Sequence, residues 1–280
     1  MRSPKMAVRI EEVRTFDCVR RCLQFLWDAS KEVAMNSIAI RIVLLPLLVA
    51  AFLSGCRNES APLAPENVAT KSLPEFPSDP GDFVDTIDNP YLAYSPGKVF
   101  RYRSETEEGV ETAVVEVTNR KKTILGVAIT VVHDQVFLDG ELIEDTFDWF
   151  AQDSEGNVWY FGEDSKEILN GQVVSTHGSW EAGVDGATPG IIMLAEPENG
   201  MKYQQEHAEG VAEDMARVVD ITASVEVMFG PFEGCLKTLE WTPLEQGARE
   251  YKYYAPGVGL VLSAETGGKG TRTELTAIEE

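Results

Sequence analysis

The sequence predicts an all-β protein: an antiparallel meander forming either a two-layer sandwich or a strongly curved, barrel-like sheet. Three observations carry that expectation. Between about residues 88 and 265 short runs alternate in polarity or are rich in β-branched residues; in Val110–Thr118, Ala113, Val115 and Val117 fall on one face and Thr112, Val114 and Glu116 on the other. Turn signals recur between the runs, at Glu108-Gly109, Asp139-Gly140, Glu155-Gly156-Asn157, Asn170-Gly171, Glu233-Gly234 and Gly257-Val258-Gly259. Asp-Gly and Asn-Gly are strong hairpin signals because a tight two-residue turn needs positive φ at both positions. The turns are spaced at roughly 8–15 residues, as in all-β folds built from hairpins.

Taken in order, the predicted strands cover 98–107, 110–120, 123–137, 141–151, 157–162, 172–177, 201–208, 236–242, 248–255 and 258–264. One stretch is ambiguous: Val211, Met215, Val218 and Val219 recur at helical spacing, but the run continues into the β-rich Val219–Val227, and strand is the preferred reading. Residues 181–200, with Gly183, Gly186, Pro189, Gly190, Pro197 and Gly200, read as a long irregular crossing.

The segment before the domain addresses the chain. Ile42–Phe52 is an apolar run of eleven residues, too short to span a bilayer and the right length for the core of a signal peptide. It is followed by Leu53-Ser54-Gly55-Cys56, which resembles the lipobox of bacterial lipoproteins. That resemblance implies that Cys56 becomes the first mature residue, is lipidated on sulfur and anchors the protein to a membrane. Arg57, standing where aspartate would retain a lipoprotein at the inner membrane, implies release to the outer membrane. The expected organisation is an upstream extension (1–34), a signal peptide (35–55), a lipidated Cys56 with a proline-punctuated tether (56–87), the β domain (88–265) and a polar tail (266–280). Two further stretches, Tyr91–Tyr102 and Tyr253–Val261 (Tyr-Tyr-Ala-Pro-Gly-Val-Gly-Leu-Val), resemble the opening and closing segments of an uncharacterised family of exported bacterial β-rich lipoproteins. The resemblance implies export and an all-β fold, and brings no activity with it.

Charge limits the partners. Of the 24 basic and 46 acidic residues, 16 and 41 lie beyond residue 55, a formal charge of −25. That excludes nucleic acid, whose phosphates need a basic footprint, and favours cations or basic partners. Cys18 and Cys22 lie upstream of Cys56, so Cys235 is the one thiol left in the domain and no internal disulfide is available. His133, His177 and His207 are far apart and match no metal or nucleophile motif.

The richest stretch is Glu141–Asp164, where carboxylates alternate with Phe147, Trp149, Phe150, Trp159, Tyr160 and Phe161; Asp148, Phe150 and Gln152 share one strand face. Cross-strand aromatic packing is its structural reading. Its metal reading is calcium: Asp153, Glu155, Asn157 and Asp164 fall at positions 1, 3, 5 and 12 of a calcium-loop template, although Val158 stands where that loop needs glycine. Its third reading is a ligand platform in which exposed rings of Trp149, Trp159 and Trp180 stack on a glycan. No catalytic residue and no organic cofactor is indicated. The functional expectation is therefore a membrane-anchored, non-catalytic β domain binding a lipid-like molecule, a glycan or an envelope protein. The competing expectation is a hydrolase of envelope polysaccharide, which needs an open groove with two facing carboxylates. An apolar pocket favours the first.

Overall fold

The structure, a computed structural model, describes residues 71–267 and 270–280. The expected extension (1–34), signal peptide (35–55) and lipidated Cys56, and the expected tether up to residue 70, lie outside the described residues. Among the described residues there is no α-helix, and so no helix long and apolar enough to cross a membrane. After a 3-10 turn at Pro80–Asp82 the chain runs through β1 (Phe83–Val84), β2 (Val99–Glu105), β3 (Val110–Ile124), β4 (Val127–Leu138), β5 (Glu141–Asp153), β6 (Val158–Leu169), β7 (Gln172–Ser175) and β8 (Trp180–Glu181). It continues with β9 (Thr188–Met193), β10 (Lys202–Gln204), β11 (Glu206–His207), β12 (Met215–Val227), β13 (Gly230–Trp241), β14 (Arg249–Ala255), β15 (Gly259–Glu265) and β16 (Arg272–Glu279).

All pairings are antiparallel, and of the two expected architectures the structure takes the barrel-like one. The strand order is β10-β12-β13-β14-β15-β16-β2-β3-β4-β5-β6-β9-β11, with β1 on β5 and both β7 and β8 on β6. The two ends of that order are one piece of chain. Residues 202–204 pair with β12, and 206–207 pair with β9, so the 202–207 segment bridges the sheet's two edges. Gly190 permits this closure: a Cβ there would lie 2.2 Å from the Gln205 carbonyl oxygen. Closure satisfies edge N–H and C=O groups that would otherwise template aggregation.

Hairpin chemistry sets the register. Asp139-Gly140 (φ 49° and 88°) and Asn170-Gly171 (52° and 73°) occupy the left-handed region, as their sequences predict. A third turn of the same kind, Leu125-Gly126 (52° and 83°), divides the predicted 123–137 strand into the end of β3 and β4. Leucine is a poor candidate for positive φ, so the sequence carries only half the signal. The ambiguous 211–227 stretch contains the thirteen-residue strand β12, in agreement with the strand reading.

Three expectations are corrected. Residues 272–279 are not tail: β16 pairs with β15 on one side and β2 on the other, joining the two halves of the barrel. The sequence there, Arg-Thr-Glu-Leu-Thr-Ala-Ile-Glu, is polar enough to pass for tail, yet only Arg272 and Glu279 are exposed and Leu275 is fully buried. Residues 71–87 are not free tether either. Phe76 and Phe83 lie 5.2–5.9 Å, centroid to centroid, from the rings of Trp159 and Phe161, and Phe83–Val84 pair with Asp153 and Gln152. Proline prevents a central strand but not an extended strap laid across the outer face of a sheet. The 181–200 crossing, finally, contains β9, part of the barrel wall.

Alternation produces two apolar layers. One face of β5 and β6 carries Trp149, Ala151, Trp159 and Phe161, the last two under the strap; the other (Asp148, Phe150, Tyr160) faces the barrel interior.

Candidate functional site

The barrel interior holds a cavity of about 250 Å³. Strand parity chooses its walls. Val132 and Asp134 on β4, Asp148 and Phe150 on β5, and Lys252 and Tyr254 on β14 are pairs two residues apart, so each pair points the same way. Tyr102, Val115, Leu260 and, from the loop before β2, Leu92 and Tyr94 add apolar and aromatic surface. The closing segment contributes Gln205 and Glu206, and Asp214 and Glu240 complete the polar wall. Most of this lining is the apolar and aromatic surface a barrel core should have; five of its residues are carboxylates.

Those carboxylates fall into groups with different partners. Glu240 is buried, accepts hydrogen bonds from the hydroxyls of Thr238 (2.7 Å) and Tyr254 (3.0 Å), and lies 3.0 Å from the Lys252 ammonium, which is also 3.1 Å from Glu250. Burial alone would lower the Lys252 pKa, but the flanking Glu240 and Glu250 carboxylates outweigh it and hold it well above its usual range. This cluster is complete.

A second group is short of charge partners. The Tyr160 hydroxyl lies 2.7 Å from Asp148 Oδ1 and 2.9 Å from Glu163 Oε2. A hydroxyl carries one hydrogen, so it donates to one carboxyl and accepts from the other, and one of the two acids must hold a proton. Desolvation agrees, pushing Asp148 up to about 6 and Glu163 well above its usual value, each further raised by neighbouring carboxylates. Glu206, 3.4 Å from the Trp180 indole N–H, is pushed up to about 8, first by burial and then by Asp214. Burial also raises Asp214 and, strongly, Asp134. Two buried polar atoms in the wall have no hydrogen-bond partner: Asp134 Oδ1 and Gln205 Nε2. In a folded protein such atoms cost free energy, and each invites an explanation.

The predicted site residues lie elsewhere. Asp153, Glu155 and Asn157 do share one turn, but the Asp153 carboxylate is occupied by the backbone N–H groups of Glu155 and Asn157, the Asn157 amide and the Trp159 indole N–H, at 2.8–3.0 Å. Asn157 Oδ1 in turn accepts from Ala195 N. Asp164 is apart from them on β6, paired with Lys166 at 2.7 Å. Among the described residues no group of three or more His, Cys, Asp or Glu side chains is placed to hold a metal ion. Nor do the tryptophans form an exposed platform. Trp149, Trp159 and Trp180 are 8 %, 3 % and 7 % accessible. The Lys122 ammonium covers the Trp149 ring at 3.1 Å, and the strap covers Trp159. Trp180 alone touches the cavity wall, through Tyr160 and Glu206. Cys235 is buried, and burial pushes its thiol up.

Sequence reasoning named Asp148 and Phe150 as sharing a face but passed over Asp134, Gln205, Glu206, Asp214, Glu240 and Lys252. The available signal was a charged residue at a position where strand parity demands an apolar one, as at Val132-x-Asp134 and Lys252-x-Tyr254. Using it requires knowing which parity faces inward.

No family model matches the chain, and no curated protein does. Two solved structures are similar. One is a candidate lipoprotein from Parabacteroides distasonis (12 % identity, 70 % of this chain and 100 % of that one, TM-score 0.37). The other is a β-barrel-like protein of a domain of unknown function from Brucella abortus (10 % identity, 65 % and 95 %, TM-score 0.33).

Proposed function

We propose that this protein is a non-catalytic envelope lipoprotein, anchored through lipidated Cys56, whose barrel takes a small, apolar-bodied ligand into its interior. The observation that carries the reading is the cavity itself. Protein interiors are close-packed, and a space of about 250 Å³ lined by Leu92, Val132, Phe150 and Leu260 together with several polar groups is the composition of a ligand pocket. Binding is favoured over polysaccharide hydrolysis by the shape of the acid pair. Asp148 and Glu163 are bridged by a single tyrosine hydroxyl inside a barrel, which leaves no groove for a sugar chain to pass between them.

The ligand reading is tested with the full chain in detergent and 1-aminoanthracene, a neutral apolar fluorophore. Saturable one-to-one enhancement of its fluorescence is expected, and Leu260→Trp, which fills the cavity, should abolish it. Absence of saturation, or an unchanged affinity in Leu260→Trp, would sink the interior site. The anchor is checked separately: palmitate should label the wild type in its native envelope and not Cys56→Ser.

A further inference from the structure

The inference deepens the binding reading just given and rests on it: it concerns the ligand's charge. The cavity wall carries five carboxyl groups (Asp134, Asp148, Glu206, Asp214 and Glu240) and one basic group, Lys252. That ammonium is already shared between Glu240 and Glu250, so its charge is matched without help from a ligand. No ion pair reaches the other four acids from any described residue. An anion entering the barrel would meet unpaired carboxyl groups and no free cation.

An acid-rich wall alone is no site, but two independent features mark this one. Gln205, only 3 % accessible, has an amide nitrogen with no partner, and Asp134 Oδ1 is likewise unpartnered. Both residues line the cavity. Asp134 and Asp148 are diagonal neighbours on adjacent strands, because Asp148 is in register with Val132, two residues from Asp134. A group with several N–H donors fits the Asp134 side, and an acceptor fits the Gln205 amide. Aromatic rings line the same wall: Phe150 stacks on Tyr160 at 4.8 Å and meets Tyr94 edge-on at 5.6 Å. Ring faces stabilise organic cations and pack their apolar bodies. A bare metal ion fits poorly, since hard cations take six to eight oxygens and much of this wall is hydrocarbon.

We propose that the barrel interior is a binding site for a small organic cation, an ammonium group on an apolar or aromatic body, with its charge between Asp134 and Asp148 and a hydrogen-bond acceptor at Gln205. The ligand supplies the positive charge that the fold leaves out. In the empty barrel burial keeps some of these acids in the neutral form, and a bound ammonium stabilises the ionised form instead.

The test compares three probes of one shape by calorimetry on the full chain in detergent near neutral pH: 2-phenylethylammonium, the neutral 2-phenylethanol and the anion 3-phenylpropanoate. The ammonium should bind saturably and at least about tenfold more tightly than the alcohol, with no binding of the anion. Replacing both acids, Asp134→Asn with Asp148→Asn, should remove that preference, and a cooperative thermal melt reports that the variant is folded. Equal or tighter binding of the alcohol, or a preference for the ammonium that survives the double replacement, overturns the charge assignment while leaving the cavity reading in place. Binding of 1-aminoanthracene with none of these three also overturns it. Failure of every probe, the aminoanthracene included, overturns the cavity reading and this one with it.

Discussion

Asp153 and Asp134 are the same residue type, both next to the barrel wall, and they have opposite situations. Asp153 is 3 % accessible and receives four N–H donors, two of them from side chains that themselves brace the β5–β6 turn. Asp134 faces a cavity; the Gln135 backbone N–H reaches its carboxyl group, but its Oδ1 receives nothing. A carboxylate whose lone pairs are filled by the protein is part of the architecture; one with an oxygen left unpaired is available to something else. The acidity of the chain, visible as bulk charge in the sequence, therefore divides into acids that hold the fold and acids that the fold holds open.

The sharpest way to break that comparison is to remove each acid in turn. Asp153→Ala leaves the Trp159 indole, the Asn157 amide and two backbone N–H groups without an acceptor in a buried turn. The expected loss is about 3–5 kcal/mol, read as a fall in the urea midpoint and a drop in Tm of roughly 10 °C. A loss below about 1 kcal/mol would show that water replaces the carboxylate and that the turn does not depend on it.

An intermediate effect is expected from pH. Asp148 and Glu206 have ordinary values of 3.8 and 4.5 and are pushed up to about 6 and about 8 in the fold. Between the ordinary and the raised values the folded state binds more protons than the unfolded one, so stability falls as pH rises from about 4 to about 8. His207, lowered by burial, acts in the opposite sense below its ordinary 6.5; Lys252, raised, titrates above this window. Urea midpoints across that range should decline, and Glu206→Gln should flatten the upper part of the decline. A midpoint that climbs steadily from acid to neutral pH would mean that the cavity acids are not buried in solution.

The smallest effect belongs to Asp134→Asn. The substitution keeps the shape, removes the cost of a buried acid and breaks no ion pair, so stability should change by less than about 1 kcal/mol or improve. A large destabilisation would show that Asp134 holds the fold and would put it in the same class as Asp153.

Much of the fold is legible in the sequence because hairpins are local. Asp139-Gly140 and Asn170-Gly171 declare their turns in two letters, and the runs between them alternate. What escaped did so for physical reasons. Leu125 occupies a positive-φ position that leucine rarely takes, so the β3–β4 turn was hidden. Residues 272–279 present a polar face, so only their pairing with β2 and β15 reveals a strand. Phe76 and Phe83 lie among prolines, and the outer-face cluster they complete with Trp159 and Phe161 joins residues about eighty positions apart.

By itself the sequence determined the all-β class, the antiparallel hairpins and the excess of acid, because each is written in contiguous residues or in bulk composition. The tertiary structure alone decided that the sheet closes through residues 202–207 and which parity of each strand faces inward. From that it decided that Asp134, Asp148, Glu206 and Lys252 share one interior while Asp153 lies spent in a turn. The reason is the period of the strand: a pattern of two assigns residues to faces, but only closure says which face is inside.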